Sequence, residues 1–168
     1  MSFLIRPYVT TDAPALSALR WAAVHTLGRR AYSDAQLRAW RPEPEGPDAV
    51  RAHLEDGRRA WVIAHDSDPD HALGAIDLEA DGHIDYLYLH PDLAGLGLGQ
   101  RLIRHVLSEA RHARLSRLFT EASELARPSF AACGFRILHR REFVLRGVNI
   151  HNYAMEHDTR GGRSAPPR

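Results

Sequence analysis

The chain has 168 residues, a mass of 18.9 kDa and a formal net charge of +1, which suits one domain with a sizeable core and gives no electrostatic case for nucleic acid or an anionic membrane as partner. No apolar run approaches the ~18 residues needed to span a bilayer, and the opening MSFLIRPYVTTD lacks the apolar stretch of a signal peptide, so the expected location is cytoplasmic. Cys133 is the sole cysteine, which excludes an internal disulfide and a cysteine-based metal site; no two of the eleven histidines frame a Glu at helical spacing, so no metal is expected.

Residues 3–7 form a short opening strand closed by Pro7. Thr10-Thr11-Asp12 offers an N-cap, with Pro14 in the first turn, to a helix marked by Leu16, Leu19, Ala23, Val24 and Leu27 and stopped by Gly28. Ser33 or Asp34 caps a short helix that ends at Trp40, because Pro42 and Pro44 forbid continuation. Residues 47–56 make one more short helix before Gly57. Residues 59–65 and 71–79 are strands joined by a polar turn, and Asp81-Gly82 is a hairpin turn into a strand beginning at His83.

Residues 84–89 carry one charge, Asp85, among aliphatic and aromatic neighbours, which suits a central strand covered on both faces. His90-Pro91-Asp92 ends it, and Gly95, Gly97 and Gly99 then alternate with leucines. A helix follows at once, with Leu102, Ile103, Val106, Leu107 and Ala110 on one face and charged or polar residues on the other. Bare N–H groups at the start of such a helix form an anion site. Residues 118–122 are a strand that must return parallel to the His83 strand, since a helix crossover joins them. A helix ended by Gly134 follows, then a hairpin of residues 136–144 and 148–155 around Arg146-Gly147. Residues 157–168 carry no apolar stripe and are expected to be a disordered tail beyond a domain of residues 1–156.

A nicotinamide-binding Rossmann turn competes for the phosphate site, with Glu121 near the distance of a ribose-binding acid; the turn lacks the third glycine, and a spacer of residues 90–94 separates strand from glycines. The run L-x-L-H-P-D-L-A-G-L-G-L-G-Q-R-L instead resembles the acyl-CoA-binding motif of the GNAT superfamily of N-acetyltransferases, with Gly97 and Gly99 matching its glycines and Ala94 standing where the family usually has Gln or Arg. The stretch A-S-x-x-A-R-P-x-F-x-x-x-G-F resembles the second GNAT signature, and Y-S-x-x-Q-L-x-A-W resembles one branch of small bacterial members. The order of elements is also that of the family, so the resemblance covers residues 3–156.

The resemblance implies an α/β (α+β) fold with a mixed central sheet of about six to seven strands, splayed at the cofactor strand, with helices on both faces. It implies acetyl-CoA as acyl donor, paired with the backbone of Leu87 and Leu89 and held at its pyrophosphate by the N–H groups of Gly95, Leu96, Gly97, Leu98, Gly99, Gln100 and Arg101, with the Arg101 side chain reaching a phosphate. A backbone N–H near Leu89 would polarise the thioester carbonyl. The acceptor would be a small-molecule or peptide amine, acetylated by direct attack in a ternary complex, with Tyr32 and Trp40 on the acceptor wall. A base must deprotonate the amine: His83 stands where several relatives carry a Glu that does this, Asp85 shares its strand face by the period of two, and Asp77 and Glu79 follow. Phe130 occupies the place of the family's usual Tyr acid and is implied to bind the cofactor beside its sulfur, while Cys133 and Ser123 nearby are read as structural. An acyl-CoA-binding regulatory module with little turnover is the alternative, which Ala94 and Phe130 favour. A homodimer stays open as an assembly.

Overall fold

The computed structural model describes residues 2–160. Two four-stranded sheets share one strand run. The first has the order β1-β2-β3-β5, from β1 (Phe3–Pro7), β2 (Arg59–His65), β3 (Asp68–Leu78) and β5 (Leu87–Leu89), all antiparallel. The second has the order β4-β6-β8-β7, from β4 (His83–Ile84), β6 (Arg117–Ala122), β7 (Arg136–Leu145) and β8 (Val148–Asp158). Within it β4 and β6 run parallel, as a helix crossover requires, and the other pairs are antiparallel. Because β4 and β5 are the two ends of residues 83–89, the eight segments are seven strands when that run is counted once, and the expected mixed, splayed architecture holds.

Helices cover both faces. α1 (Ala13–Leu27) and α3 (Pro47–Leu54) set Ala13, Leu16, Val50 and Leu54 against Val62, Ala75 and Tyr86 on one side of the first sheet. On the other side α4 (Leu98–His112) lays its apolar stripe of Leu102, Ile103, Val106, Leu107 and Ala110 across Ile63, Ile76, Ile84 and Leu118, spanning both sheets. α5 (Arg127–Ala132) adds Phe130, packed edge-on against Phe135 at 5.0 Å. α2 (Asp34–Trp40) is capped by Ser33, one of the two candidates, in a capping box in which Ser33 and Gln36 satisfy each other's backbone N–H, and Leu37 packs with Val24, Tyr32 and Ile150. No helix among the described residues is long and apolar enough to cross a membrane.

Three local expectations need correction. Asp12 does not cap α1 with its side chain: its carboxylate accepts from the Val9 N–H at 2.9 Å and takes both arms of the Arg6 guanidinium at 2.7 and 2.8 Å, so the residue closes the preceding short 3₁₀ turn instead. The helix ended by Gly134 is shorter than the apolar pattern suggests, because residues 124–126 form a turn before Arg127. The terminal strand runs to Asp158, pairing His157 with Leu118 and Asp158 with Arg117, so it takes in the first two residues assigned to the tail; residues 161–168 lie outside the described residues.

The break in the 83–89 run positions the site. The carboxylate of Asp77, fully buried, accepts from the N–H groups of both Asp85 and Tyr86 at 2.9 and 2.8 Å, so two successive donors of the run serve one side chain instead of a ladder. Its other oxygen takes the Arg58 guanidinium at 2.6 Å. Glu79 and His83 keep their backbone bond at 2.9 Å before the bulge, and Asp77 and Tyr86 theirs at 3.2 Å after it. We expect Asp77→Ala to destabilise the fold by on the order of 3 kcal/mol, since a buried donor without an acceptor costs about 1–3 kcal/mol. Asp77→Asn should cost clearly less, because its amide oxygen can still accept the two N–H groups. Urea denaturation of the three proteins measures this, and equal losses for the two variants would contradict it.

Candidate active site

A cleft opens where the run changes sheets. His83 and Ile84 pair with Phe119 and Thr120 of β6, whereas Leu87 to Leu89 pair with Ile76 to Gly74 of β3, so β5 and β6 part beyond Ile84. The His90 N–H donates to Leu73 at 2.8 Å and the Asp77 N–H to Tyr86 at 3.2 Å, which turns the backbone of Tyr86, Tyr88 and His90 toward β3. Alternation along a strand then turns the N–H and C=O groups of Leu87 and Leu89 into the cleft. That open edge is where an extended amide-bearing chain can pair as an added strand.

The glycine turn lies at one end of this cleft. Gly97 caps α4 in the left-handed region at φ 74°, which a β-branched residue does not adopt without strain. The first helical bond runs from the Arg101 N–H to the Gly97 carbonyl at 3.1 Å, leaving the N–H groups of Leu98, Gly99 and Gln100 without an intrahelical acceptor. A Cβ on Gly99 would stand 3.4 Å from Leu89 and 3.7 Å from Ser129, so the helix start, the cleft strand and α5 meet closely there. Leu96 and Arg101 are exposed and Leu98 is buried under the turn. Gln100 is used locally: its side-chain oxygen accepts from Arg104 at 3.1 Å and its carbonyl from the Cys133 thiol at 3.6 Å. The residues present therefore fit a phosphorylated acyl carrier, with donors for an anion beside a strand edge for amides, and backbone groups supply what Ala94 does not.

The acid and base groups gather at the other end, around Arg58. Its guanidinium meets Asp56 at 2.7 Å, Asp77 at 2.6 Å, Glu79 at 3.4 Å and Asp85 at 3.8 Å. His53 of α3 stands 3.5 Å from Asp77 and 3.4 Å from Asp85, a spacing that could suit a metal ion, but the Arg58 guanidinium lies 3.2 Å from the same imidazole nitrogen and holds that position as the cation. His83 is clamped: Nδ1 lies 2.9 Å from Glu79 and Nε2 lies 2.6 Å from Glu121, with the ring stacked on Phe119 at 4.8 Å. Burial alone would lower its pKa, but the bonds to Glu121 and Glu79 outweigh burial and hold it above 6.5.

These positions change the roles read from the sequence. His83 does not line the cleft; Glu121 stands between it and the cavity wall, where Glu121, Asp85, Ile84 and Trp40 are neighbours. Asp85 belongs to the same acid–base group as His83, since Arg58 links it to Glu79 and Glu79 to His83, but it contacts His53 and Arg58 directly and borders the cavity, which His83 does not. Glu121 is the site residue that the GNAT motifs missed. Its signal lay in the strand pattern: it sits two residues beyond Phe119, the register partner of His83, on the same face of β6.

Tyr32 and Trp40 come together at 5.5 Å, edge to face, and both line the larger part of the cleft. Tyr32 also braces the fold, since its hydroxyl donates to the His151 carbonyl at 3.1 Å and accepts from the Glu124 N–H at 2.8 Å, tying the loop after β6 to β8. Glu124 itself is held at a pKa of about 2 by the Tyr153 hydroxyl, with Arg127 and His151 adding to it. Phe130, almost wholly buried, borders the smaller part of the cleft beside Ala126 and Ser123.

A model of the Acetyltransferase (GNAT) domain matches residues 29–157. The uncharacterized N-acetyltransferase YafP of Escherichia coli (strain K12) is 24% identical over 161 residues, covering 91% of this chain and 94% of its own. The crystal structure of a GCN5-related N-acetyltransferase from Rhodopseudomonas palustris superposes with a TM-score of 0.83 at 26% identity, over 94% of this chain and 96% of its own. The structure of yncA from Salmonella typhimurium with its cofactor acetyl-CoA matches in fold, with a TM-score of 0.73 at 18% identity over 99% of both chains.

The clamp on His83 has a pH signature. A raised folded pKa means that the imidazolium's contribution to stability is fully present below 6.5 and is lost as pH rises through the folded value. NMR titration of the His83 ring should give a midpoint above 6.5, and Glu121→Gln should lower it. The stability gap between the native protein and His83→Gln should shrink as pH rises above 6.5 and through the folded midpoint. A midpoint below 6.5 would mean that burial, not the carboxylates, governs the ring.

Proposed function

The chain belongs to the GNAT acetyltransferases, and from that premise we propose that it moves an acetyl group from acetyl-CoA to a primary amine by direct attack within a ternary complex. The observation that carries the reading is the unpaired edge of Leu87 and Leu89 running beside the bare N–H groups that open α4. Leu98, Gly99 and Gln100 donate to the pyrophosphate, the helix contributes about half a positive charge there, and the Arg101 side chain adds its own. The Leu87 and Leu89 backbone pairs with the pantetheine amides. This registers the thioester along the strand, with the Leu89 N–H available to its carbonyl oxygen.

In the transfer, the N–C bond to the amine forms as the C–S bond breaks, sulfur leaves as thiolate, and the nitrogen, already relieved of one proton before attack, releases its second to solvent water. A primary amine has a reference pKa of ~10.4, so it arrives as ammonium and must lose a proton before attack. Asp85 and Glu121 border the cavity and meet the ammonium first. His83, 2.6 Å behind Glu121, receives the proton through it and acts as a positioning and storage group. Phe130 offers no proton to sulfur, and with a reference thiol pKa of ~8.5 the thiolate leaves without one.

The competing reading, an acyl-CoA-binding module with little turnover, rests on Ala94 and Phe130, and amine-dependent release of thiol from acetyl-CoA separates the two. We expect release with an amine panel, and an acidic limb of the rate profile that follows the His83 midpoint. We also expect acetyl-CoA to raise the melting temperature, and Gly97→Val to remove that rise while leaving the circular dichroism unchanged. Unaltered acetyl-CoA affinity in Gly97→Val by calorimetry would show that the glycine turn is not the phosphate site.

A further inference from the structure

The two adjoining cavities of the cleft, about 150 and 70 Å³, share Trp40, Leu87 and Tyr88 as walls. Their lining is sorted by charge. Asp85 and Glu121 are the charged side chains there, and among the described residues that line the cavities there is no arginine or histidine. Serines and a threonine add neutral polarity; the rest is apolar or aromatic, with Tyr32, Leu37 and Leu125 lining only the cavity that lacks the carboxylates and Trp40 lining both.

The charge behind the wall has the same sign. Asp56, Asp77, Glu79, Asp85 and Glu121 form one connected cluster with Arg58, His53 and His83, so it stays net negative even with both imidazoles protonated. Arg58 is not available to a ligand carboxylate, because its guanidinium is already shared among four acids and is mostly buried.

Resting on the acetyl-transfer reading, we propose that the acceptor is a small hydrophobic amine that carries no carboxylate: its ammonium faces Asp85 and Glu121, and its apolar body lies against Trp40 and Tyr32. An α-amino acid would bring a second anion to within a few ångströms of two carboxylates in a cavity partly closed to water, where like charges repel far more than in bulk solvent. It would also find no cation on the wall to pair with, so its carboxylate would be desolvated without compensation. A site built to take an amino acid would be expected to place an arginine fork there.

The test uses a matched trio, 2-phenylethylamine, L-phenylalaninamide and L-phenylalanine, with thiol release from saturating acetyl-CoA as readout and kcat/KM taken per unprotonated amine. The two uncarboxylated amines should exceed phenylalanine by at least ~10-fold, the ratio that 1.4 kcal/mol of repulsion gives. Glu121→Gln should narrow that ratio several-fold, and because the ratio cancels any loss in the common chemical step, a slower variant remains informative. Equal or better use of phenylalanine would overturn the proposal while leaving acetyl transfer standing. Preference for spermidine or a lysine-bearing peptide over 2-phenylethylamine would overturn its hydrophobic half. If acetyl-CoA raises the melting temperature but no amine releases thiol, the acetyl-transfer reading fails and takes this inference with it.

Discussion

The buried carboxylate of Asp77 holds the molecule in its working shape. Residues 83–89 would otherwise continue as one straight strand between β3 and β6, and there would be no gap to bind anything. By accepting two successive N–H groups, Asp77 removes one residue from the ladder and bends the run, so that its first half stays with β6 and its second with β3. A charge at full burial is costly unless it is paired, and the Arg58 guanidinium supplies the pair. That guanidinium also reaches Glu79 and Asp85, so the contact that opens the cleft is continuous with the acids that border it.

The opposite end of the cleft has a similar economy. α4 is anchored by an apolar stripe across both sheets, which fixes where its N-terminus lies relative to β5. The packing of Gly99 against Leu89 and Ser129 holds that start close to the open strand edge. The first-turn N–H groups, unsatisfied in any helix, therefore point where an anion is wanted because the core places them there, and no charged side chain has to be buried to do it.

Much of this was legible in the sequence, where local chemistry decides. The strand and helix periods, the cap of α2 at Ser33 or Asp34, the turns at Gly82 and Arg146-Gly147 and the glycine-rich helix start are all set by residues within a few positions of one another. What escaped depends on register. That Asp77 faces Asp85 and Tyr86 follows only once β3 and the 83–89 run are aligned. That Glu121 shields His83 follows only from the parallel pairing of β4 with β6. Tyr32 reads as an acceptor wall from its family pattern, yet its hydroxyl is committed to His151 and Glu124, residues more than ninety positions away. Asp12 looks like a cap by spacing, but Arg6 on the neighbouring strand turns it back.

The net charge of the chain, close to zero, hides a polarity that the fold creates. One end of the cleft offers N–H groups, a helix dipole and Arg101; the other offers Asp85 and Glu121 backed by a net negative cluster. On the proposed reading, a polyanionic donor and a cationic amine would be drawn to opposite ends of one groove, and neither would compete electrostatically for the other's place. The open backbone of Leu87 and Leu89 runs between the two ends, and it carries hydrogen-bonding groups but no charge. Under that proposal the arrangement favours the two substrates bound together over either bound in the wrong half. The bend at Asp85-Tyr86 is what sets the two ends in line, so the electrostatic order of the site follows from a backbone irregularity rather than from composition.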